Sequence, residues 1–411
     1  MSVQSTGARG ASFAARPAWV MLAALCSAFM LSHAYRTAAA MMAGRMQADF
    51  SLTPQQLGSY AGAFHFAFGA MQLFVGLAID LHGVRRTMLA TFPLAVVGAL
   101  VSALAHSYPL VVLGQVLIGV GCSAAFLVCT VFITRYFAPE RFASVSGIVL
   151  GIGGGGMLLT ATPLAWVVQE VSWRAGFLVL AALSALAWLL IFVVVRESPL
   201  QQPRQRESLG AAVRGMARLM ALPYTIGIMA LGAVTYAAFM SLRGLWLGPL
   251  LVERYGYTLV ESGNVALLVS VVSIMGPPLF GRFGPQGKGR RRWIVSCTFA
   301  LVGLFVAMAL APNAGAVLAC SLLVGFLSGF IVLQYADVRA SYPIALTGRA
   351  MSLLNMAMFL GVALVQWLSG AVASLAHASS WHADIYSAAL GLIAATLVLG
   401  VIAFVCLPAP D

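Results

Sequence analysis

Long apolar runs alternate with short polar segments along the whole chain. Twelve of these runs reach the roughly 20 residues that an α-helix needs to cross a hydrocarbon layer about 30 Å thick. They lie at about residues 18–42, 57–79, 87–106, 110–135, 144–168, 174–196, 222–252, 260–281, 293–312, 315–338, 350–376 and 384–408. Because a backbone in lipid must satisfy its own hydrogen bonds, each run predicts a transmembrane helix. The pattern therefore predicts an all-α membrane protein with twelve transmembrane helices.

The longest polar stretch divides the chain nearly in half. It is rich in Arg, Glu, Gln, Pro and Ser, and no other polar segment between apolar runs is as long. The predicted organisation is a cytoplasmic N-terminal tail (1–17), a six-helix bundle (18–196), a cytoplasmic linker (197–219) and a second six-helix bundle (220–408).

The composition supports a membrane location. Of 411 residues, 61% are hydrophobic and 8% are charged, whereas about 25% are charged in an ordinary soluble domain. A surface that faces water cannot be built from so few polar residues. The composition therefore excludes a soluble globular protein.

The distribution of basic residues predicts the orientation. The net charge of +12 would suggest a nucleic-acid partner in a soluble protein. Here most Lys and Arg fall on the side of the linker and the two termini, and only Arg45, Arg174 and Arg254 fall in loops on the other side. Basic loops remain in the cytoplasm, so both termini are expected there and no nucleic acid is expected to bind.

The two halves resemble each other at matching positions, which indicates an internal repeat. Thr53 and Gly58 correspond to Thr258 and Gly263, and each Thr begins a predicted helix in the manner of a capping box. Arg36 in the first half corresponds in the same way to Arg243 in the second, and Arg141 to Arg349. We therefore expect two pseudo-symmetric bundles with one arginine inside the first helix of each.

A loop between the second and third runs carries a recognisable signature. The segment Gly76-Leu-Ala-Ile-Asp80-Leu-His-Gly83-Val-Arg85-Arg86 resembles the cytoplasmic-loop motif of the major facilitator superfamily. The resemblance implies that Asp80 caps a helix end or pairs with arginine, as a latch that holds one conformation. Residues 279–284 form the second-half counterpart, but glycine replaces the acid at position 281, so the latch is expected in the first half. Conformational roles are also expected for Arg141 and Arg349.

Further residues extend the resemblance over the whole chain. Trp173-Arg174-Ala-Gly-Phe177 is similar to the family's WRxxF pattern, and Gly119-Val-Gly121 matches its glycine pair in the fourth helix. The resemblance implies two six-helix bundles around a central cavity, whose site is reached alternately from the two sides. It implies no cofactor. The sequence also shows no arrangement of nucleophile and base and no metal-ligand cluster, so we expect a protein that is not an enzyme.

A glycine run in the fifth predicted helix has two functional interpretations. Residues Gly151 to Gly156 fit the dinucleotide pattern G-x-G-x-x-G, which requires a preceding strand. Because the run lies in an apolar helix, close helix packing is the favoured interpretation. The run also resembles the fifth-helix motif of drug/proton antiporters, but Gly153-Gly154 stands where that motif has Gly-Pro. Gln115 stands where proton-coupled members often have arginine.

Arg36 and Arg243 give the main functional hypothesis. A charge inside a membrane span is costly and normally faces a cavity or a partner. No Asp or Glu lies near the middle of a predicted span, so an anionic substrate would supply the missing counter-ion. The organic-phosphate antiporters of the superfamily are similar in having an arginine on the first and the seventh helix. Alternatively, Arg36 could extend to the interface, about 9 Å away at 1.5 Å per residue if the span ends near residue 42.

Other polar residues are expected to line the same cavity. They share faces with the arginines or lie at similar depth in other predicted helices, and they are His33, Tyr236, His65, Gln72, Gln334, Asn355 and Gln366. A histidine in a cavity without carboxylates could carry a coupling proton. For His65 alone, a hydrogen-bonded packing role explains the residue equally well.

The sequence thus predicts a secondary active transporter of a small organic anion, bearing a carboxylate or phosphate, in a bacterial inner membrane. The coupling partner would be a proton or a counter-anion. A drug or metabolite efflux antiporter, and a membrane sensor that keeps the fold without transporting, are the alternatives.

Overall fold

The computed structural model of the chain describes residues 10–196, 209–285, 287–378 and 384–407. Among the described residues, eleven segments are long and apolar enough to cross a membrane, and these residues form an all-α fold with twelve long helices, as the sequence predicted. They are α1 (Gly10–Phe50), α2 (54–82), α3 (84–103), α4 (Tyr108–Tyr136), α5 (142–170), α6 (Trp173–Val194), α7 (Pro223–Arg254), α8 (Leu259–Phe283), α9 (Lys288–Ala309), α10 (Ala314–Ser341), α11 (Ile344–Ala378) and α12 (Ile385–Cys406). Large apolar side chains such as Leu186 and Leu399 are exposed on the outside of the bundle, as lipid-facing residues would be.

Gly83 separates α2 from α3. Its φ of 82° and ψ of 174° lie outside the helical region, in a conformation that glycine adopts without steric cost. The helical stretch from Pro54 to Thr91 is therefore two helices that meet at this residue. The signature glycine thus has a structural reason to be present.

Several predicted boundaries differ from the structure. The first helix begins at Gly10, inside the predicted tail of 1–17, and it continues to Phe50, beyond the predicted end of the apolar run at 42. The predicted linker contains an amphipathic helix, Leu209–Met220, which we call the linker helix. Residues 1–9 and 197–208 lie outside the described ranges. Hydropathy marks only the segment that lipid surrounds, whereas good helix formers prolong a helix beyond it.

The membrane helices that are irregular near their middle in the described ranges include α4 at Ser123–Ala124, α10 at the 3-10 turn Ser328–Phe330, and α5 and α7. In α5 the α-helix ends at Leu159 and resumes at Thr162, and Pro163, which has no N–H to donate, follows directly. In α7 residues Leu242–Trp246 form a π-helical turn. Such turns occur frequently at functional sites, and this one contains Arg243.

The N-half (α1–α6) and the C-half (α7–α12) meet mainly through α2 with α11, α1 with α7 and α5 with α8. We call the end with the linker helix the linker face and the other end the opposite face. A methyl group at Gly58 would lie 2.3 Å from the Gln366 carbonyl oxygen, and one at Gly248 would lie 2.4 Å from that of Ala40. These close contacts lie toward the opposite face, where the two halves are therefore tightly closed.

Matching ion pairs connect the first and last helix of each half at the opposite face. Arg174 of α6 pairs with Asp49 of α1 at 2.8 Å, and the Trp173 indole donates a hydrogen bond to the same carboxylate. In the C-half Arg254 of α7 pairs with Asp384 at the start of α12 at 3.0 Å. The acid and the base have exchanged places between the repeats, so the repeat preserves the connection rather than the residue type.

Candidate functional site

Arg36 lies inside the protein, between the two halves. It is 6% exposed, and its guanidinium carbon is 4.8 Å from the ring centroids of both Phe68 of α2 and Phe359 of α11. Aromatic faces attract cations at such distances. Because α1 continues to Phe50, Arg36 is about 21 Å from the helix end at 1.5 Å per residue. The side chain does not extend to the interface in this structure.

The hydrogen bonds of Arg36 go only to neutral groups. Its guanidinium donates to Ser32 Oγ at 3.2 Å, to Tyr236 OH at 3.4 Å and to His33 Nε2 at 3.4 Å. These distances are near the long end for a hydrogen bond. Its Nε–H has no partner among the described residues. Arg36 therefore keeps hydrogen-bonding capacity for a ligand.

Arg243 is completely buried and has shorter hydrogen bonds, although its Nη1 has no partner among the described residues. Its Nε donates to Ser270 Oγ of α8 at 2.9 Å, and one terminal nitrogen donates to the Met157 carbonyl oxygen at 3.0 Å. The Ala161 N–H bonds to the Leu158 carbonyl rather than to that of Met157, because α5 is interrupted here. The interruption therefore leaves the Met157 carbonyl available to an arginine of the other half.

The contacts of the two arginines follow the repeat. Arg36 of α1 contacts α2 in its own half and α11 in the other. Arg243 of α7 contacts α8 in its own half and α5 in the other, and these are the equivalent helices of the second repeat. None of the described carboxylates forms an ion pair with either arginine.

A cavity of about 130 Å³ lies between the halves, on the linker-face side of their close contacts. His33 and Tyr236, both expected from the sequence, line it. Neither arginine does so directly: Arg36 is reached through His33 and Tyr236, to which it is hydrogen-bonded. The other polar lining residues are Thr235, Ser273 and Ser328, and the apolar ones include Met157, Phe239 and Phe330.

Five of the expected lining residues lie outside this cavity wall: Gln334, Gln72, Asn355, His65 and Gln366. Gln334 is buried and donates to Thr235 Oγ1 at 2.8 Å, so it supports a lining residue. Gln72 donates to the carbonyl oxygens of Phe68 and Ser123 at 3.3 Å and connects α2 with α4. Asn355 of α11 accepts a hydrogen bond from the Tyr335 hydroxyl of α10.

His65 and Gln366 are buried where α2 and α11 cross. The Nδ1 of His65 is 3.2 Å from the Ala61 carbonyl oxygen, but its Nε2 has no partner among the described residues. Both amide atoms of Gln366 also lack a partner within this part of the chain. The two side chains belong to the closed contact between the halves rather than to the cavity.

The ion pairs on the linker face differ from the expected latch. Asp80 is exposed and forms no ion pair with any described residue. In the C-half, by contrast, Asp337 of α10 is 3% exposed and pairs with Arg290 and Arg291 of α9, at 3.4 and 3.0 Å. The expectation of a latch in the N-half is therefore not met in this conformation. In the C-half, the acid that pairs with arginine lies on α10 and not in residues 279–284, which correspond to the signature.

The remaining signature residues lie at the linker face. Arg85 donates to the Phe192 carbonyl oxygen of α6 at 3.0 Å. Arg86 and Arg141 are exposed. A methyl group at Gly76 would meet no described atom within 4 Å. A methyl group at Gly215 of the linker helix would lie 2.7 Å from Arg349 Nη1. Arg349 thus connects α11 with the linker helix.

Sequence reasoning missed the aromatic residues around Arg36, because phenylalanine in an apolar run is usually lipid-facing or core. A usable signal was spacing. Phe68 is one helical turn before Gln72, and Phe359 is one turn after Asn355, so each shares a face with a predicted polar residue. The role of the Met157 carbonyl could not be read from side-chain patterns at all.

Comparisons with known proteins agree with this architecture. Residues 21–336 match the family model of the Major Facilitator Superfamily. The chain is 24% identical over 181 residues to a protein of Cupriavidus necator named as a probable sulfoacetate transporter, covering 44% of this chain and 42% of the relative. It is 25% identical to a uridine/deoxyuridine transporter of Lactococcus lactis, covering 63% of this chain and 60% of the relative. A hexuronate transporter of Bacillus subtilis is 22% identical, covering 72% and 74%.

The fold is also similar to solved transporter structures. A structure of the nucleoside transporter NupG superposes with a TM-score of 0.75 at 12% identity, covering 95% of this chain and 99% of that chain. At that identity the likeness shows the fold alone. The family match over residues 21–336, most of the chain's length, shows that this chain belongs to the major facilitator superfamily, and its long apolar helices make it a multi-pass membrane protein.

Proposed function

We propose that the protein is a secondary active transporter of a small organic anion, with Arg36 and Arg243 providing the positive charge that attracts it. The observation that carries the proposal is the burial of both guanidinium groups without a carboxylate partner in the described ranges. A buried charge that is not neutralised is unfavourable by several kcal/mol. A bound anion would relieve this cost at the interface of the two halves.

The conformation fits a cycle of alternating access. The halves touch closely at the opposite face, and the cavity lies on the linker-face side of that contact. If basic loops remain in the cytoplasm, both termini and the linker face are cytoplasmic, and the site is closed to the outside. Rocking of the halves about the cavity would open the opposite face.

The names of two relatives support an anionic substrate. One is named as a transporter of sulfoacetate and another of hexuronate, and both compounds are organic acids. The bacterial sources of these relatives support a location in the bacterial inner membrane. The uridine relative shows that substrates in this superfamily differ, so the arginines rather than the relatives carry the argument.

For coupling we propose proton symport or anion exchange. His33 is hydrogen-bonded to Arg36 and lines the cavity, so its protonation state would be linked to the occupancy of the site. In an exchange mechanism a second anion would take the place of the first at the arginines on the return step.

The test is transport by purified protein in proteoliposomes, with a panel of carboxylates, sulfonates, organic phosphates and neutral solutes, with and without an imposed proton gradient. We expect uptake of at least one organic anion and loss of that uptake in Arg36→Ala and Arg243→Ala. Uptake of anions that survives both substitutions would refute the role of the arginines. Export of neutral apolar compounds would indicate efflux, and binding without flux would indicate a sensor.

A further inference from the structure

We infer that the substrate is a compact monoanion with few or no hydroxyl groups, bound through its charged end by Arg36. The inference rests on the proposed anion transport and specifies its substrate class. The cavity of about 130 Å³ is smaller than the roughly 300–1,000 Å³ of sites for drug-sized ligands. It suits a small organic acid better than an extended one.

The Ser and Thr hydroxyl groups of the lining donate their protons to backbone carbonyls in this structure. Ser273 Oγ donates to the Ser270 carbonyl at 2.8 Å, and Ser328 Oγ donates to the Gly325 carbonyl at 2.6 Å. Thr235 Oγ1 donates to the Leu231 carbonyl at 2.9 Å. In this arrangement these groups offer lone pairs to a ligand, and lone pairs repel an anionic oxygen. To bind the charged end of the substrate, they would have to give up these hydrogen bonds.

The available donors are concentrated at Arg36 and Tyr236. The Tyr236 hydroxyl accepts from Arg36 and donates to none of the described residues. Arg36 is held by hydrogen bonds of 3.2 to 3.4 Å, which a carboxylate or sulfonate oxygen would replace with shorter, charge-assisted ones. A polyhydroxylated ligand could donate to the three Ser and Thr oxygens of the lining, but its remaining hydroxyl groups would face apolar side chains.

Most of the remaining wall is apolar. Phe239, Met240, Pro277, Phe330 and Ile331 line the cavity. Burying a hydroxyl group against such a wall without a hydrogen bond costs roughly 1–3 kcal/mol on mutational evidence. An apolar or aromatic body would instead gain from the same burial. The wall therefore selects against sugar acids.

Arg36 is the arginine whose hydrogen bonds a ligand would most readily replace. Neither guanidinium lines the cavity, but Arg36 donates to the lining residues His33 and Tyr236 through long hydrogen bonds. Arg243 bonds to Ser270 and to the Met157 carbonyl at 2.9 and 3.0 Å, distances typical of well-formed hydrogen bonds, and only its Nη1 lacks a partner in the described ranges. A ligand bound at Arg36 needs one negative charge for this contact, and a second charged group would face the apolar wall. The substrate is therefore singly charged.

Matched pairs of compounds test this inference. Cyclohexanecarboxylate and glucuronate both carry a carboxylate on a six-membered ring, but only glucuronate is polyhydroxylated. Benzenesulfonate and 1,3-benzenedisulfonate differ by one charge, and both remain ionised, so neither leaks across lipid as a neutral acid. Dissociation constants are measured by calorimetry on the purified full chain, and sulfonate flux is measured in proteoliposomes. Arg36→Ala and the exposed Arg45→Ala serve as test and control.

We expect cyclohexanecarboxylate and benzenesulfonate to bind at least tenfold more tightly than their partners, with binding lost in Arg36→Ala and kept in Arg45→Ala. Equal or tighter binding of glucuronate or of the disulfonate would overturn the inference while leaving anion transport intact. If the wild-type protein binds no anion of either pair and transports none of the wider panel, the proposed function itself fails. Because the pairs are compared on wild-type protein, the result does not depend on the folding of a variant.

Discussion

At the scale of single residues, Arg36 is surrounded by uncharged groups, which do not neutralise its positive charge. Two phenylalanine rings hold its guanidinium plane, and three neutral side chains accept its hydrogen bonds. Aromatic contacts stabilise a desolvated cation by about 2 kcal/mol or more. They make the charge tolerable without cancelling it, and the positive potential remains available to an anion.

Replacing Arg36 by alanine removes a charge-assisted hydrogen bond to the anion, which contributes about 1.5–3 kcal/mol. We expect the dissociation constant for the transported anion to rise at least tenfold, since about 1.4 kcal/mol corresponds to a factor of ten. Arg36→Lys should recover part of the affinity, because it keeps the charge but loses the planar fork. Calorimetry measures the change, and Arg45→Ala, an exposed site on the same helix, should leave it unaltered.

At the scale of helices, the glycine run of α5 shows that the function of a sequence motif depends on the secondary structure in which it lies. The run lies inside an α-helix, so it has no strand and turn to cradle a phosphate. A methyl group at Gly156 would lie 1.8 Å from the Met30 carbonyl oxygen of α1, whereas at Gly155 the nearest atom would be Met30 Sδ at 3.9 Å. Small residues here let α5 approach α1, as the packing interpretation predicted.

Gly156→Ala should therefore destabilise the protein, and its neighbour Gly155→Ala should not. The added methyl group at position 156 meets a backbone carbonyl and must separate α5 from α1, at a cost of about 1–3 kcal/mol. Thermal unfolding of the detergent-solubilised variants measures the difference. Equal melting temperatures for the two variants would contradict the packing role of Gly156.

The ion pairs between α9 and α10 give a second prediction at this scale. Asp337 is buried with Arg290 and Arg291, and Asp337→Asn would leave both arginines without their acid. Breaking a buried pair typically costs about 3–5 kcal/mol; because the arginines are partly exposed, we expect a loss at the lower end. Thermal unfolding is the measurement. Asp80→Asn, at an exposed site without an ion pair in the described ranges, should change stability by less than about 0.5 kcal/mol.

At the scale of the whole molecule, the contact of the two halves at the opposite face determines which side the cavity can reach. Backbone approaches at Gly58, Gly248 and Gly370 bring α2 against α11 and α1 against α7. Hydrogen bonds between the halves, such as Gln55 N–H to Ser374 Oγ at 2.9 Å, lie in the same region. A transporter that alternates must break these contacts together.

Gly58→Ala should favour the conformation that is open at the opposite face. The new methyl group would lie 2.3 Å from the Gln366 carbonyl oxygen, so α2 and α11 could not close without strain. Spin labels at His106 and Leu310 would occupy two exposed loop positions of different halves. The distance between the labels, measured by pulsed electron paramagnetic resonance, should be longer in this variant than in the wild-type protein. Gly44→Ala, where no described atom lies within 4 Å of the added methyl group, is the control. An unchanged distance distribution in Gly58→Ala would refute this role of the helix contact.

The sequence by itself determined the features that depend on local patterns. Hydropathy defined twelve helices, because each membrane span must be apolar over its own length, and the repeat identified Arg36 and Arg243 as equivalent. Tertiary structure decided which groups meet: Phe68 and Phe359 at Arg36, the Met157 carbonyl at Arg243, and Asp337 rather than Asp80 in an ion pair. Those contacts join helices that are distant along the chain. Their formation depends on how the helices pack, which no local pattern records.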